Sequence, residues 1–375
     1  MPDLFLGMMS GTSLDGVDAV LVDFSPPGGL QRVLSHAHEA FDTPLRQELL
    51  SLNSSGPDEL HRSALATHAL GRVHVRAARR VLASAEVSFT DVRAIGVHGQ
   101  TVRHQPDLPQ EELGYTVQLD PSAMVAEALG IDTVSDFRTQ DVAAGGQGAP
   151  LVPAYHRALF AQPGVNVAVV NIGGMANVSR LQSDGGVSGF DTGPGNVLMD
   201  AWMQDHMGLD CDVGGRLAAA GTVDADLLAR LLAEPYFAVD PPKSTGRELF
   251  SRAWLQTRAS GRLLEVADAD LMATLCELTA RTISDALASF PASQVWVCGG
   301  GAFNAELMRR LQMNLARASV RSTSDAGLPP DQVEACAFAW LAREHLEGRT
   351  ANVPAVTGAR GARVLGAHRV ATPGR

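Results

Sequence analysis

The sequence predicts an α/β protein of two domains that repeat one strand-rich unit. Three observations support this fold class. The chain has 375 residues, more than a single core usually supports. Residues 4–24 and 165–182 both read as a strand, a turn of small residues and a second strand. Apolar strands repeatedly end in glycine-rich turns, and α/β sheets bind ligands at the carboxyl ends of their strands.

The composition excludes several classes of protein. The formal net charge is −11 and the pI about 5.4, which argues against a nucleic-acid-binding face. Cys211, Cys276, Cys298 and Cys336 show no C-x-x-C spacing, so neither a zinc cluster nor a disulfide framework is expected. No signal peptide or long apolar run is visible. We therefore expect a cytoplasmic protein with no membrane or nucleic-acid partner.

The first half begins with a hairpin, Leu4–Met9 and Val17–Phe24. Thr43 followed by Pro44 is typical of a helix start, with Thr43 as the cap. A longer helix is expected across about 58–85. The stretch VRAIGVHGQT then reads as a buried strand ending in His98, Gln100 and Thr101.

The second half restarts after a glycine-rich connector near 135–150. VNVAVVNIGGMANVSRLQ predicts strand, turn and strand, and a further strand ends in GFDTGPGN before a helix from about Asn196. Thr222 is a candidate helix cap. Helices are expected at about 269–290 and 331–347, and QVWVCGGGAFNAELMRRL reads as strand, triple glycine and helix.

Four of these turns could hold phosphate through backbone N–H groups, because glycine lets the chain curl closely around an anion. Alone, the 10–16 turn is better explained as a structural hairpin loop, and it matches neither a Walker A motif nor a dinucleotide fingerprint. Four such turns at strand ends together favour a nucleotide-phosphate site. The turns comprise residues 10–16, Gly173 with Gly174, Gly193 to Asn196, and Gly299 to Gly301.

Several charged and polar residues are candidates for chemistry, each with a structural alternative. Asp191, between a strand and a helix, could take a proton from an attacking oxygen, or only cap the turn or the helix. Asp15 could bind magnesium, or be a surface residue. Glu334 could contact substrate, or only complement a helix dipole. Arg138 could bind an anionic group, or form a structural ion pair. A lone histidine such as His98 more often has a structural role, whereas the amide of Gln100 suits hydrogen bonding to a sugar hydroxyl.

Nine stretches in order identify a family resemblance that covers residues 5 to 366. They are GMMSGTSLDGVD, HGQTVRHQP, SDFRTQDVAAGGQGAPLVP, NIGGMANVS, GFDTGPGNVLMD, PPKSTGRELF, CGGGAFNAELM, EACAFAWLA and NVPAVTGA. Together they resemble the anhydro-N-acetylmuramic acid kinases. The resemblance implies an actin-like ATPase fold, with two ribonuclease-H-like domains around an inter-domain nucleotide cleft. We expect these domains at 1–140, with 345–375 packing back on the first, and at 141–344.

The resemblance also implies a reaction. ATP, Mg²⁺ and water would convert 1,6-anhydro-N-acetylmuramate, an amino sugar of peptidoglycan recycling, into N-acetylmuramate 6-phosphate and ADP. Asp191 would be the general base, and His98, Gln100, Arg138 and Glu334 would contact the sugar. The expected ATP contacts are Ser10, Gly11, Thr12, Ser13, Leu14, Asp15, Gly16, Val17, Asp18, Gly173, Gly174, Gly193, Gly195, Asn196, Gly299, Gly300 and Asn304. The family further implies a homodimer.

One departure from the wider superfamily concerns the metal. An Asp usually precedes the first phosphate turn, and this chain has Met8, Met9 and Ser10 there. Asp15, Asp18 or Asp191 would then position Mg²⁺, with Asp15 the first candidate. The alternatives to this kinase are another sugar or acid kinase of the superfamily, a transcriptional member, and a chaperone-like ATPase. The last two are disfavoured because the cysteines do not cluster and no peptide-binding segment follows the last helix.

Overall fold

The computed structural model describes residues 2–25, 31–107, 114–241, 243–246 and 248–372. The strands are β1 (Leu4–Met9), β2 (Gly16–Asp23), β3 (Arg32–Ala40), β4 (Val92–Val97), β5 (Gln100–Gln105), β6 (Tyr115–Leu119), β7 (Thr133–Ser135), β8 (Val167–Ile172), β9 (Met175–Leu181), β10 (Val187–Pro194), β11 (Gln294–Cys298), β12 (Ser319–Ser322) and β13 (Ala367–Arg369).

The α-helices lie between and after these strands. They are α1 (Thr43–Ser51), α2 (Glu59–Ala85), α3 (Ser122–Leu129), α4 (Thr139–Ala143), α5 (Val152–Phe160), α6 (Val197–Met207), α7 (Arg216–Ala220), α8 (Ala225–Leu232), α9 (Arg252–Ala259), α10 (Asp268–Ala286), α11 (Ala305–Asn314), α12 (Val333–Leu346) and α13 (Pro354–Thr357). No helix among the described residues is both long and apolar enough to cross a membrane.

The chain divides into two compact units. Unit 1 comprises residues 1–159 and 332–375, and unit 2 comprises residues 160–331. The sequence placed these boundaries at 140/141 and 344/345. They differ because α5 and α12 both pack within unit 1, where the rings of Tyr155 and Trp340 lie 5.9 Å apart. The glycine-rich connector that suggested a boundary is therefore internal to unit 1.

The two units contain sheets of the same design. In unit 1 the order is β13-β7-β4-β1-β2-β3, and in unit 2 it is β10-β9-β8-β11-β12. The first three strands of each unit form an antiparallel meander. Two later strands then extend the sheet in parallel from the first strand. This shared 3-2-1-4-5 order is the ribonuclease-H-like arrangement, and it confirms the predicted duplication of an α/β unit.

Helix α12 packs on the sheet of unit 1 because two strand residues lack side chains. A Cβ on Gly7 would lie 1.9 Å from the carbonyl oxygen of Ala335, and one on Gly96 would lie 2.0 Å from that of Phe338. Glycine at these positions lets the helix backbone touch the strands directly. This contact places Glu334, in the first turn of α12, in unit 1.

Each unit has its own hydrophobic core. In unit 1, α2 buries Leu70, Val73 and Val81 along one face against the meander. In unit 2, α10 contributes Leu271, Leu275 and Leu278 to the core, and this helix is buried on most of its sides. In α2 the helical spacing places the apolar residues in a stripe on one side.

Two predicted helix caps are wrong by one or two residues. Asp42, not Thr43, caps α1, since its carboxylate accepts a hydrogen bond from the amide of Leu45 at 2.9 Å. Asp224, not Thr222, caps α8 in the same way, with the amide of Leu227 at 3.0 Å. In both cases an Asp with extended backbone lies immediately before the first helical residue, and its side chain reaches the exposed amides.

Candidate active site

The turn between β1 and β2 exposes two hydroxyl groups. It is closed by a hydrogen bond from the amide of Leu14 to the carbonyl of Gly11 at 3.3 Å, and Leu14 adopts a φ of 54°. Thr12 and Ser13 lie exposed at the tip. Ser13 Oγ donates to Asp15 Oδ1 at 2.9 Å. The exposed face of the turn therefore presents Thr12, Ser13 and Asp15.

Other predicted contacts of this turn point into the protein. Ser10 is buried and its hydroxyl donates to the carbonyl of Gly99 at 2.8 Å. The side chains of Leu14 and Val17 belong to the core of unit 1. At these three positions a ligand contact would have to come from the backbone, because the side chains serve packing and anchoring.

Asp18 lies on β2 and is engaged by two histidines. His36 Nε2 and His38 Nδ1 each lie 3.0 Å from Asp18 Oδ1. Burial pushes the pKa of Asp18 up, but hydrogen bonds from the two imidazoles outweigh it, so the pKa lies below the ordinary value. These contacts make Asp18 a less accessible metal ligand than the exposed Asp15.

The buried His98 and the half-buried Arg138 form a pair beside the turn. The Arg138 guanidinium donates to His98 Nε2 from Nε at 3.1 Å and from Nη2 at 3.0 Å. Since Nε2 accepts, the proton of the neutral ring is on Nδ1, which donates to the carbonyl of Ser10 at 3.2 Å. Burial, and then the charge of Arg138, lower the pKa of His98 to about 3. The neutral imidazole of His98 thus links Arg138 to the turn between β1 and β2.

Gln100 anchors the same turn from β5. Its Nε2 donates to the carbonyl of Gly11 at 3.1 Å, and the side chain is fully buried. In the part of the chain that the structure describes, Gln100 Oε1 has no hydrogen-bond donor. A buried acceptor without a partner is costly, so this oxygen is suited to receive a ligand hydroxyl.

Glu334 faces the same region of unit 1 from the start of α12. Burial raises the pKa of Glu334, the charge of Arg138 opposes the shift, and Asp18 adds to it. The side chain nevertheless keeps contact with solvent. The structure therefore brings together the 10–16 turn, His98, Gln100, Arg138 and Glu334 within unit 1. The resemblance implies ATP contacts for the turn and sugar contacts for the other four residues.

Asp191 lies on β10 of unit 2 and is fixed on several sides. Its Oδ2 accepts a hydrogen bond from the amide of Thr245 at 3.0 Å, and its carbonyl accepts from the hydroxyl of Tyr236 at 2.7 Å. Burial raises the pKa of Asp191, the Thr245 amide opposes this, and the charge of Glu248 adds to it. The alternative role as a helix cap does not apply, because the carboxylate binds a different segment.

Two glycine turns of unit 2 contact each other. The amides of Gly195 and Asn196 donate to the carbonyls of Gly174 and Gly173, both at 2.8 Å. A Cβ on Gly195 would lie 2.3 Å from the carbonyl oxygen of Gly173, so only glycine permits this contact. The predicted phosphate donors Gly195 and Asn196 are therefore committed within the protein here, which differs from the expectation.

The triple-glycine turn after β11 lies against the same turns. A Cβ on Gly300 would lie 3.7 Å from Asn196 Nδ2, and Gly299 approaches the end of β8. The amide of Gly299 donates to the carbonyl of Pro330 at 2.9 Å. Asn304 Oδ1 caps α11 by accepting from the amide of Leu307 at 2.9 Å. The glycines of unit 2 thus converge, whereas Asn304 has a structural role that the sequence interpretation did not include.

The acidic residues of the described chain fit a magnesium ion that binds mainly to phosphate. Those residues contain no cluster of three or more His, Cys, Asp or Glu side chains able to hold a metal. Mg²⁺ at nucleotide sites takes one or two carboxylates and completes its shell with phosphate and water. The exposed Asp15 beside the Ser13 hydroxyl meets that requirement.

The segment 243–246 is the part of this site that sequence reasoning missed. The amide of Asp191 donates to the carbonyl of Lys243 at 3.2 Å. Lys243 Nζ donates to the carbonyls of Tyr236 and Phe237, both at 3.1 Å. The signal was present, since Lys243 is the only lysine and lies in the PPKSTGRELF stretch. Two residues of that stretch, Pro242 and Arg247, lie outside the described residues.

Comparisons with known proteins agree with the resemblance. A family model described as anhydro-N-acetylmuramic acid kinase matches residues 3–371. A relative of that name from Albidiferax ferrireducens is 51% identical over 98% of this chain and 99% of its own length. Another from Bordetella petrii is 54% identical over 97% of this chain and 95% of its own.

A solved structure supports the fold. Component A of the (R)-2-hydroxyglutaryl-CoA dehydratase of Acidaminococcus fermentans matches 91% of this chain and 98% of its own, with a TM-score of 0.50 and 13% identity. At this identity the likeness concerns the fold alone. It agrees with the repeated sheets described above.

Proposed function

Because the chain belongs to the anhydro-N-acetylmuramic acid kinase family, we propose that it phosphorylates 1,6-anhydro-N-acetylmuramate with ATP and opens the anhydro ring with water. The products are N-acetylmuramate 6-phosphate and ADP. The observation that carries the mechanism is the fixed and partly buried carboxylate of Asp191, whose pKa is raised.

Asp191 acts as the general base. It takes a proton from a water molecule whose oxygen forms a bond to the anomeric carbon of the sugar. The bond between that carbon and O6 breaks, and O6 forms a bond to the γ-phosphorus as ADP leaves. A carboxylate is a better base when its pKa is closer to the operating pH, which is the direction in which burial moves Asp191.

The phosphate contacts come from small-residue turns. Phosphoryl transfer asks the protein mainly for positioning and charge stabilisation. The exposed tip formed by Thr12 and Ser13 supports a role in binding phosphate oxygens. Gly173 offers room, since a Cβ there would meet only the carbonyl of Met175, at 3.7 Å, but its amide already donates to that carbonyl at 3.1 Å. Gly300, beside Asn196, would border the adenosine.

Asp15 is the residue that would hold Mg²⁺. The ion supplies neutralisation of the charge on the phosphates, and Asp15 contributes a carboxylate that Ser13 orients through the bond to Oδ1 at 2.9 Å. Asp18 is disfavoured for this role because His36 and His38 already engage it.

The sugar is bound by unit 1. Gln100 Oε1 accepts a sugar hydroxyl, because its acceptor has no donor among the described residues. Arg138 keeps its charge, since burial lowers its pKa only to about 10, and it binds the lactyl carboxylate. His98 orients Arg138, and Glu334 accepts a further hydroxyl. The Arg138 guanidinium is half-buried, so water competes less for it than for an exposed guanidinium.

The enzyme acts in the cytoplasm as a homodimer. Both statements extend the family resemblance to this chain. Light scattering on the purified protein should give twice the chain mass of 39.5 kDa, and a value equal to one chain would contradict the dimer.

The direct test of the proposed function is substrate specificity. ADP release is measured with 1,6-anhydro-N-acetylmuramate, glucose, N-acetylglucosamine and acetate in parallel. We expect turnover with the anhydro-sugar and none above background with the other three. Turnover with glucose or acetate instead would assign the chain to another kinase activity of the same fold.

A further inference from the structure

A fully buried carboxylate in unit 1 has no place in the mechanism above. Asp141 lies in α4, three residues after Arg138, and has no exposed surface. Burial of a carboxylate is costly unless it is hydrogen-bonded. Three hydrogen-bond donors bind the Asp141 carboxylate, which indicates that it fixes the segments from which they come.

The three donors come from two segments. Asn352 Nδ2 and Thr357 Oγ1 donate to Asp141 Oδ1 at 2.7 and 2.9 Å. The amide of Gly148 donates to Oδ2 at 2.8 Å. Asp141 therefore ties the glycine-rich connector around 144–150 to the segment 352–359. Both segments belong to stretches that carry the family resemblance, SDFRTQDVAAGGQGAPLVP and NVPAVTGA. The proposed reaction assigns no role to either segment.

Gly148 links this carboxylate to Arg138. While its amide binds Asp141, its carbonyl accepts a hydrogen bond from Arg138 Nη1 at 2.8 Å. The other side of the guanidinium binds His98 Nε2, at 3.1 Å from Nε. Arg138 is thus held between two groups, the imidazole of His98 and the carbonyl of Gly148. Asp141 fixes the second group, because it binds the amide of Gly148.

We propose that Asp141 is a positioning residue for sugar binding, which orients the Arg138 guanidinium through Gly148. The inference rests on the proposed function, in which Arg138 binds the carboxylate of the sugar. Loss of this support would let Gly148 shift and turn the guanidinium away from its ligand. None of the three donors to Asp141 belongs to the 10–16 turn, so we expect a larger effect on sugar binding than on ATP binding.

The test is the variant Asp141→Asn, which keeps the shape of the side chain but places an N–H against one of the donors. We expect the KM for the anhydro-sugar to rise about tenfold or more, the factor for one hydrogen bond to a charged group. The KM for ATP should stay within about twofold of the parent. A purely structural role would lower the melting temperature without separating the two KM values.

A double variant tests the geometry. In Asp141→Asn with Asn352→Asp, the amide at 141 can accept from Gly148 and donate to the new carboxylate at 352. We expect this pair to recover most of the sugar KM lost in Asp141→Asn. Should Asp141→Asn fail to fold, Thr357→Val, which removes one donor, takes its place with a smaller rise in the same KM.

A matched control is Glu344→Gln. Glu344 is also a buried carboxylate of unit 1, but it pairs with Arg349 at 2.6 Å and has no link to Arg138. It should lose stability with an unchanged sugar KM.

An unchanged sugar KM in Asp141→Asn, or an equal rise in Glu344→Gln, would overturn the inference alone. Absence of turnover in the parent enzyme would overturn the proposed function, and the inference with it.

Discussion

At the scale of single residues, chemistry depends on how each side chain is held rather than on its type. Asp191 could be proposed as a base from the sequence because a carboxylate followed a predicted strand and preceded a helix. What held it could not be recognised, since Thr245 and Tyr236 are more than 40 residues away in the chain. The hydroxyl of Ser10 shows the reverse case, because a residue that suits phosphate instead binds the carbonyl of Gly99.

Replacing the proposed base should slow turnover strongly without unfolding the protein. Asp191→Asn keeps an oxygen that can accept from the Thr245 amide but cannot take a proton. We expect kcat to fall by about 10² to 10⁴, the usual contribution of a general base, with ATP affinity retained. Asp184→Asn, at an exposed turn of the same unit, is the control. Near-normal kcat in Asp191→Asn would refute the assignment.

The same substitution should not destabilise the enzyme at neutral pH. A carboxyl group whose pKa is higher in the folded than in the unfolded chain binds its proton more tightly when folded. The protonated form of Asp191 therefore favours the folded chain, and this stabilisation is complete in acid. It is lost as the pH rises through the raised pKa. At pH 7 the melting temperature of Asp191→Asn should equal or exceed that of the parent, and the gain should vanish below about pH 3.9. A large loss of stability at pH 7 would show that the carboxylate is structural.

The pH dependence of catalysis follows from the same group. The rate should fall when the pH drops through the pKa of Asp191, because the base is then protonated. Burial and Glu248 place this pKa above the ordinary range of an Asp, although the Thr245 amide opposes them. A profile of kcat/KM should therefore show an acid limb above about pH 4. A rate that stays constant down to that pH would contradict a raised pKa.

At the scale of elements, local patterns were predicted well and long-range partners were not. The first hairpin, the helix at 59–85 and the strand before the triple glycine follow from apolar periodicity. The membership of α12 in unit 1 depends on Gly7 and Gly96, whose contacts with the helix carry no local signal. The amides of Gly195 and Asn196 could not be excluded as phosphate donors, because their acceptors come from another turn.

A side chain at Gly7 should displace α12. In Gly7→Ala the added Cβ would lie 1.9 Å from a backbone oxygen, so the helix must move. We expect a loss of about 3 kcal/mol in the free energy of unfolding, at the upper end for overpacking, measured by chemical denaturation. Gly56→Ala is the control, since its Cβ would meet only the flexible end of Arg62 at 3.2 Å. Equal stability of the two variants would contradict the packing described for α12.

At the scale of the whole molecule, two units of one design contain the residues proposed for different roles. The residues proposed for the sugar belong to unit 1, and the proposed base, Asp191, belongs to unit 2. Duplication was visible in the sequence because each half opens with the same hairpin pattern. The boundaries were not visible, since helix α12 joins unit 1 through packing contacts that are distant in the sequence.

Unit 1 should be sensitive to acid. Burial lowers the pKa of His74 to about 4 and that of His156 to about 3, and burial with Arg138 lowers that of His98 to about 3. Above about pH 6.5 the three histidines are neutral in both the folded and the unfolded chain, and the stability of the fold is complete. It decreases as the pH falls towards the lowered pKa values of the folded chain, because only the unfolded chain then binds protons. Between pH 6 and 5, each ring should cost up to about 1.4 kcal/mol per pH unit. Urea denaturation at several pH values checks this, and constant stability over that range would contradict it.

We propose that one enzyme adds water to the anomeric carbon while it transfers phosphate to O6. The decisive measurement is mass spectrometry of the sugar formed from 1,6-anhydro-N-acetylmuramate and ATP in ¹⁸O-labelled water. We expect a 6-phosphate that carries one ¹⁸O at the anomeric carbon. A phosphorylated sugar that keeps the anhydro bridge, or an opened product without label at that carbon, would contradict it.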